Sequence, residues 1–159
     1  HCLPALRERY PELIYLIAGE GNDRARLEAL ATDLGIADGV RFLGAVDPAQ
    51  LPGLYAAADV FAMPSTREGV AIVFLEAMAS GTPVVALDED GSRDPLQDGA
   101  LGHLAKREQL AQALDDALSQ PRPTHLAEQV RAVFGRDAFV DQVQHLVRAN
   151  FHPSERSGA

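Results

Sequence analysis

Val70-Ala-Ile-Val-Phe-Leu-Glu-Ala-Met-Ala79, then Ser80-Gly-Thr-Pro83 and Val84-Val-Ala-Leu87, is the stretch that decides the fold. Its first part is apolar at every position except Glu76, and Gly81 with Pro83 marks a helix stop. Its last part is a short apolar run that ends in the turn residues Asp88-Glu-Asp-Gly91. A helix feeding a short continuous apolar strand indicates a strand covered on both faces. A helix that is apolar all round is normally buried on most sides. A buried carboxylate without a partner is costly or takes up a proton, so Glu76 needs an explanation. Glu68 lies just before the helix and is followed by Gly69. Two readings follow. In one, both carboxylates hold a polar ligand at the helix N-terminus. In the other, Glu68 is a solvated charge favoured by the helix dipole, and Glu76 lies on a thin exposed strip or pairs with an arginine.

Working outward, strand-like and helix-like segments alternate. Leu13–Ala18, Val40–Leu43, Val60–Met63 and Pro83–Leu87 read as strands, with Gly102–Ala105 as a weaker one. Helical patterns occupy Asp23–Leu34, Pro48–Ala57, Val70–Ser80 and Arg107–Ser119, the second with Asp47 as N-cap and Pro48 at its first position. This alternation predicts an α/β fold, a Rossmann-like parallel sheet of at least four strands flanked by helices, with Glu68 and Glu76 at its carboxyl edge. After Ser119 the pattern changes. Pro121 and Pro123 break the chain, and His125–Phe134 and Asp137–Ala149 read as two helices. The expected organisation is therefore residues 1–120 as the sheet domain, 121–150 as C-terminal helices of the same domain, and 151–159 as a loose tail. His1–Tyr10 reads as the second half of an amphipathic helix, before which a parallel sheet would have a further strand. The expectation is a chain that lacks its first strand, with an unfilled sheet position that favours self-association.

Composition narrows the function classes. The chain has 159 residues, 47% of them hydrophobic, enough for a domain with its own core. The net charge of -9 argues against broad nucleic-acid binding or an anionic membrane surface. It leaves room for a phosphorylated ligand held locally at a helix N-terminus. No apolar run is long enough for a transmembrane span. One cysteine, Cys2, excludes an internal disulfide and fits a reducing compartment. The five histidines are scattered with none paired at helical spacing, so no metal site is expected.

Open parallel sheets bind ligands beyond the carboxyl ends of their strands. The loops there are Gly19-Glu-Gly21, Gly44-Ala-Val46, Pro64–Gly69 and Asp88–Asp94. Glycine in such loops lets a ligand approach the backbone. Gly19-Glu-Gly21-Asn-Asp-Arg24 is half of a dinucleotide fingerprint, with Arg24 where the third glycine belongs, so a strand-to-helix turn is its default reading.

Arg67-Glu-Gly-Val-Ala-Ile-Val-Phe-Leu-Glu-Ala-Met-Ala-Ser-Gly-Thr-Pro-Val-Val-Ala86 closely resembles the signature of family 4 retaining glycosyltransferases of the GT-B fold: Glu, seven residues, Glu, then Ala-Met-Ala-x-Gly-x-Pro-Val-Val-Ala. Leu16-Ile-Ala-Gly-Glu-Gly21, Val40-Arg-Phe-Leu-Gly44 and Leu54-Tyr-Ala-Ala-Ala-Asp-Val-Phe61 before Pro64-Ser65 agree in order and spacing. The resemblance implies the C-terminal, donor-binding half of a two-domain enzyme that moves a sugar from a nucleotide diphosphate-sugar to a hydroxyl of a glycan, lipid or small molecule. It implies Glu76 on the ribose hydroxyls and Glu68, the catalytic-site carboxylate, on the transferred sugar. Backbone N–H groups of Gly69, Val70 and Ala71 would face the diphosphate, and the backbone near Ala45 and Val46 the nucleobase. Gly19 and Asp94 complete the implied donor site.

The sequence departs from the family pattern at Val70, usually Phe, at Ala71, usually Gly, and at Asp90-Gly-Ser-Arg-Asp94, where a Gly-Gly-x-Pro-Glu segment is usual. The last change shortens the carboxylate and leaves the role of Asp94 open. The family's diphosphate-neutralising Arg and Lys, and its N-terminal acceptor domain, would precede His1. The resemblance thus implies no cofactor and no metal, a nucleotide-sugar co-substrate, and no transfer activity for this chain alone. It implies a cytoplasmic location, with peripheral attachment at the inner membrane face open for the full-length protein. A non-catalytic nucleotide-sugar binding domain and a GT-B nucleotide-sugar epimerase are the alternatives.

Overall fold

The structure, a computed structural model, describes residues 1–65 and 72–151, without the side chains of 90 and 149–151. Its elements run α1 (Leu3–Arg9), β1 (Tyr15–Ala18), α2 (Arg24–Asp33), β2 (Val40–Gly44), α3 (Leu51–Ala57), β3 (Phe61–Met63), α4 (Ile72–Ala79), β4 (Val84–Leu87), α5 (Asp90–Arg93), β5 (His103–Ala105), α6 (Leu110–Ser119), α7 (Leu126–Phe134) and α8 (Arg136–Phe151). Among the described residues the strands pair in parallel, with one isolated antiparallel bridge between Gly19 and Gly44. The fold is therefore the expected α/β class, parallel strands flanked by helices.

β4 shows why the motif dictates this arrangement. Its four residues are all buried. Val84 and Ala86 join Tyr55, Phe74, Ala77, Met78 and Leu96 in one core cluster, while Val85 joins Leu6, Leu114 and Ala117 in another. Alternate residues of a strand point to opposite faces, so a strand with helices on both sides must be apolar throughout. α7 closes the first of these cores with Leu126 and Val130.

The strands divide into two ladders, β1–β2 and β3–β4–β5, in place of one sheet of at least four strands. Packing through α1 ties the ladders together. Its Leu3 packs, as do Tyr15, Ile17 and Phe42, against the buried cluster of Ala31, Ile36 and Val40, and its Leu6 shares a cluster with Val85 and Leu114. Apolar runs identify strands but carry no information on which edges share hydrogen bonds. The sequence also implies double coverage for β1, and the structure corrects this: burial alternates along β1, and Leu16 lies 43% exposed.

α4 is likewise less buried than its composition implies. Phe74, Ala77 and Met78 face the core, whereas Ile72, Glu76 and Ala79 form an exposed strip. The helix ends in a Schellman motif. Gly81, at φ +79°, donates to the Met78 carbonyl at 2.9 Å, and Thr82 N–H donates to that of Ala77 at 3.0 Å. Asp47 caps the turn before α3 as expected, accepting from the Ala49 N–H at 2.9 Å.

Candidate functional site

Parallel pairing places the loops after the strands of each ladder on a common edge. At the end of β1, Gly19 at φ +121° donates its N–H to the Gly44 carbonyl at 2.8 Å. Gly44, at φ +69°, turns the chain out of β2. The structure thus brings these two glycine loops together, and both backbone conformations disfavour a side chain. Beyond Gly44 lies a recess of about 420 Å³ lined by Leu43, Ala45, Val46, Gln50, Gly53 and Leu54. Its side chains are apolar except that of Gln50, main-chain polar groups share its surface, and it is open to solvent. Such a recess suits a flat ring with few polar contacts at its rim.

Glu76 sits on the exposed strip of α4, so the sequence reading of a buried carboxylate gives way to that of a thin exposed strip. The partner it meets is a tyrosine. The Tyr55 hydroxyl donates to Glu76 Oε2 at 3.1 Å. Tyr55 is only 8% exposed, and its ring lies edge-on to Phe61, which in turn packs edge-on to Phe74. Burial, then the hydrogen bond to Glu76 and its negative charge, push the Tyr55 phenol up to about 12. The phenol is therefore a donor across the physiological range. One O–H uses one acceptor position of a carboxylate that has about four.

The same tyrosine is held through its backbone. Thr82, fully buried, donates its hydroxyl to the Tyr55 carbonyl. Arg122 donates from Nη2 to Thr82 Oγ1 at 2.8 Å and from Nη1 to the Ala56 carbonyl at 2.7 Å. Helix α3 is the shared element. Gly53 and Leu54 line the recess, and the next residue reaches Glu76.

The remaining site residues stand differently. Asp94 is exposed at the end of α5, and its carbonyl accepts from Gln97 Nε2 at 3.0 Å. Among the described residues no hydrogen bond or ion pair joins it to Glu76 or the recess. Its neighbour Arg93 pairs with Asp88 at 2.6 Å. Glu68, Gly69, Val70 and Ala71 lie outside the described residues. Tyr55, Thr82 and Arg122 were not singled out by the sequence. For Tyr55 a signal existed, since a tyrosine inside an apolar helix needs a partner for its hydroxyl. Arg122 sits between Pro121 and Pro123, where the pattern shows only a break. Among the described residues no group of three or more His, Cys, Asp or Glu could hold a metal ion, and no helix is long and apolar enough to cross a membrane.

A parallel α/β domain with helices on its faces and glycine loops after its strands is of the Rossmann-like class. Residues 1–133 match the model of the glycosyl transferases group 1 family, and the chain belongs to that family. It is 39% identical over 130 residues to the GDP-mannose-dependent alpha-(1-6)-phosphatidylinositol monomannoside mannosyltransferase of Mycolicibacterium smegmatis, covering 76% of this chain and 34% of that protein. It is 43% identical over 122 residues to the D-inositol 3-phosphate glycosyltransferase of Corynebacterium urealyticum, covering 72% of this chain and 28% of that protein. The chain thus spans about a third of the length of these relatives. Among solved structures it resembles the sucrose-phosphate synthase of Thermosynechococcus elongatus, with a TM-score of 0.74, 30% identity, and 94% of this chain and 41% of that one covered. HepE of Anabaena in complex with UDP-glucose gives a TM-score of 0.73 and 26% identity, with 94% of this chain and 44% of that one covered. These neighbours agree with the GT-B, Rossmann-like fold class.

Proposed function

We propose that this chain is the C-terminal, nucleotide-sugar-binding half of a retaining glycosyltransferase that transfers a hexose to a hydroxyl acceptor. The observation that carries the reading is Glu76, a carboxylate on the exposed strip of an otherwise apolar helix, with acceptor capacity left after its bond from Tyr55. A vicinal diol can donate two hydrogen bonds to such a group. The recess at Ala45 and Val46 would receive the nucleobase, beside the turn made by Gly19 and Gly44. Gly69, Val70 and Ala71 would offer N–H groups to the diphosphate at the helix N-terminus, and Glu68 would bind the transferred sugar. Catalysis would be electrostatic, stabilising the leaving diphosphate. The basic residues for that task would lie upstream of His1 and the acceptor site in a further domain, consistent with relatives about three times longer. On this reading the enzyme needs no metal and works in the cytoplasm, in contact with a membrane face where its acceptor is a lipid.

Calorimetry with GDP, UDP and their mannose and glucose conjugates tests the reading. Glu76→Gln should weaken nucleotide binding by about 1.5–3 kcal/mol, the range for hydrogen bonds to a charged group. Equal affinity in the two proteins would refute the ribose role. Measurable sugar transfer by this chain alone would refute the division of labour. The exposed Asp94, in place of the family's glutamate, favours one second reading, a non-catalytic nucleotide-sugar binding domain. Transfer by the longer polypeptide excludes it. Phe139, Leu146 and Val147, exposed on α8, support association of the isolated chain with a further domain or a second copy, which sedimentation reads.

A further inference from the structure

We propose that Tyr55 is a positioning residue for donor binding: its hydroxyl, fixed in space by α3, holds the Glu76 carboxylate in the orientation that receives the ribose diol. The proposal rests on the donor-site reading of Glu76 given above. An exposed glutamate samples many rotamers and must give up that freedom to bind a ligand. Here one oxygen is already engaged, since Tyr55 donates to Oε2 at 3.1 Å. The donor itself cannot drift. Its ring is packed edge-on against Phe61 at 5.5 Å between centroids, and Phe61 stands 6.2 Å from Phe74 of α4. Its carbonyl accepts from the buried Thr82 hydroxyl, and Arg122 ties Thr82 to the neighbouring Ala56 carbonyl. Phe74 lies two residues before Glu76 on the same helix, so the aromatic row fixes the spacing of α3 and α4 as well as the hydroxyl. The phenol remains protonated far above neutral pH, with its value near 12, so it stays a donor there.

A purely structural role would use Glu76 only as a polar outlet for a buried phenol. The two roles differ in one observable, the preference for ribose over 2′-deoxyribose. Saturation-transfer NMR with GDP, UDP and their 2′-deoxy counterparts, at millimolar concentration, measures that ratio on the 159-residue chain. Unfolding midpoints are taken in parallel. A 3.1 Å contact is long for a hydroxyl-to-carboxylate bond, so the effect should sit at the modest end. Tyr55→Phe should lower nucleotide affinity about threefold to tenfold, tenfold being 1.4 kcal/mol, with the 2′-deoxy ligands less affected. Added to Glu76→Gln it should cost little more, because both act through one carboxylate. Incorporation of 3-fluorotyrosine at position 55, which keeps ring and hydroxyl, should preserve the ratio of the unmutated chain. A lowered unfolding midpoint with an unchanged ratio, or a fluorotyrosine chain that behaves like Tyr55→Phe, overturns the proposal. If Glu76→Gln lowers the ratio and Tyr55→Phe does not, only the positioning role fails. If Glu76→Gln leaves the ratio unchanged, or the unmutated chain binds neither nucleotide, the donor-site reading fails and the proposal with it.

Discussion

Thr82→Val removes one buried hydroxyl and keeps nearly the same shape. That hydroxyl donates to the Tyr55 carbonyl and accepts from Arg122 Nη2 at 2.8 Å. A neutral hydrogen bond contributes about 0.5–1.5 kcal/mol, and one involving a charged group about 1.5–3 kcal/mol. Both belong at the low end here. The Tyr55 carbonyl keeps its bond from the Ala58 N–H at 3.1 Å, and Arg122 is exposed and can rehydrate. The expected cost is therefore about 1.5–2.5 kcal/mol, or about 3–10 °C in melting temperature for a chain of this size. Arg122→Ala should cost less, about 1 kcal/mol, because the Ala56 carbonyl it leaves is exposed and hydrated. The two changes share a bond, so the double variant should lose less than the sum. Urea unfolding of the four proteins measures each term. A Thr82→Val loss under about 0.5 kcal/mol, or strict additivity with Arg122→Ala, would refute the idea that this pair anchors α3.

Phe74→Ala empties a fully buried site between Tyr55, Phe61 and β4, and should cost about 3–5 kcal/mol by chemical unfolding. Gly81→Ala should cost about 1–2 kcal/mol; its added methyl meets no atom within 4 Å, so the whole loss comes from the left-handed backbone at φ +79°. The Asp38 carboxyl is held below its usual 3.8 by its hydrogen bond from Arg7. Its stabilising contribution is thus full above 3.8 and lost as pH falls through the lowered folded value, and Asp38→Asn should flatten the acid limb of the urea midpoint. Tyr55 has the opposite sign. Its folded value near 12 exceeds the usual 10, so its contribution is intact below 10 and disappears as pH rises through 12. Absorbance titration should show a late-ionising tyrosine that Tyr55→Phe removes.

The sequence by itself determined the strands, the longer helices and their order, while the short helix α5 stands in what it read as a loop. An all-apolar Val84–Leu87 has no stable place except between two layers, and the Ser80-Gly81-Thr82-Pro83 stop has few conformations open to it, so both were legible from local chemistry. The family was legible too, because one long motif concentrates its helix, turn and strand in a single stretch. What the tertiary structure decided is everything that depends on which faces meet. Composition marked α4 as buried on most sides and left a thin exposed strip open; packing against α3 and α7 decided where that strip lies, with Ile72 64% exposed beside Glu76. The strands were counted correctly but not joined correctly, since an apolar run does not name its neighbour and the two ladders are linked by α1 instead of by hydrogen bonds. Glu76 stands out in the sequence by its charge in an apolar helix. Its partner, 21 positions away on another helix, was not, because a hydrogen bond between side chains depends on how the helices pack and leaves no periodic trace in the chain.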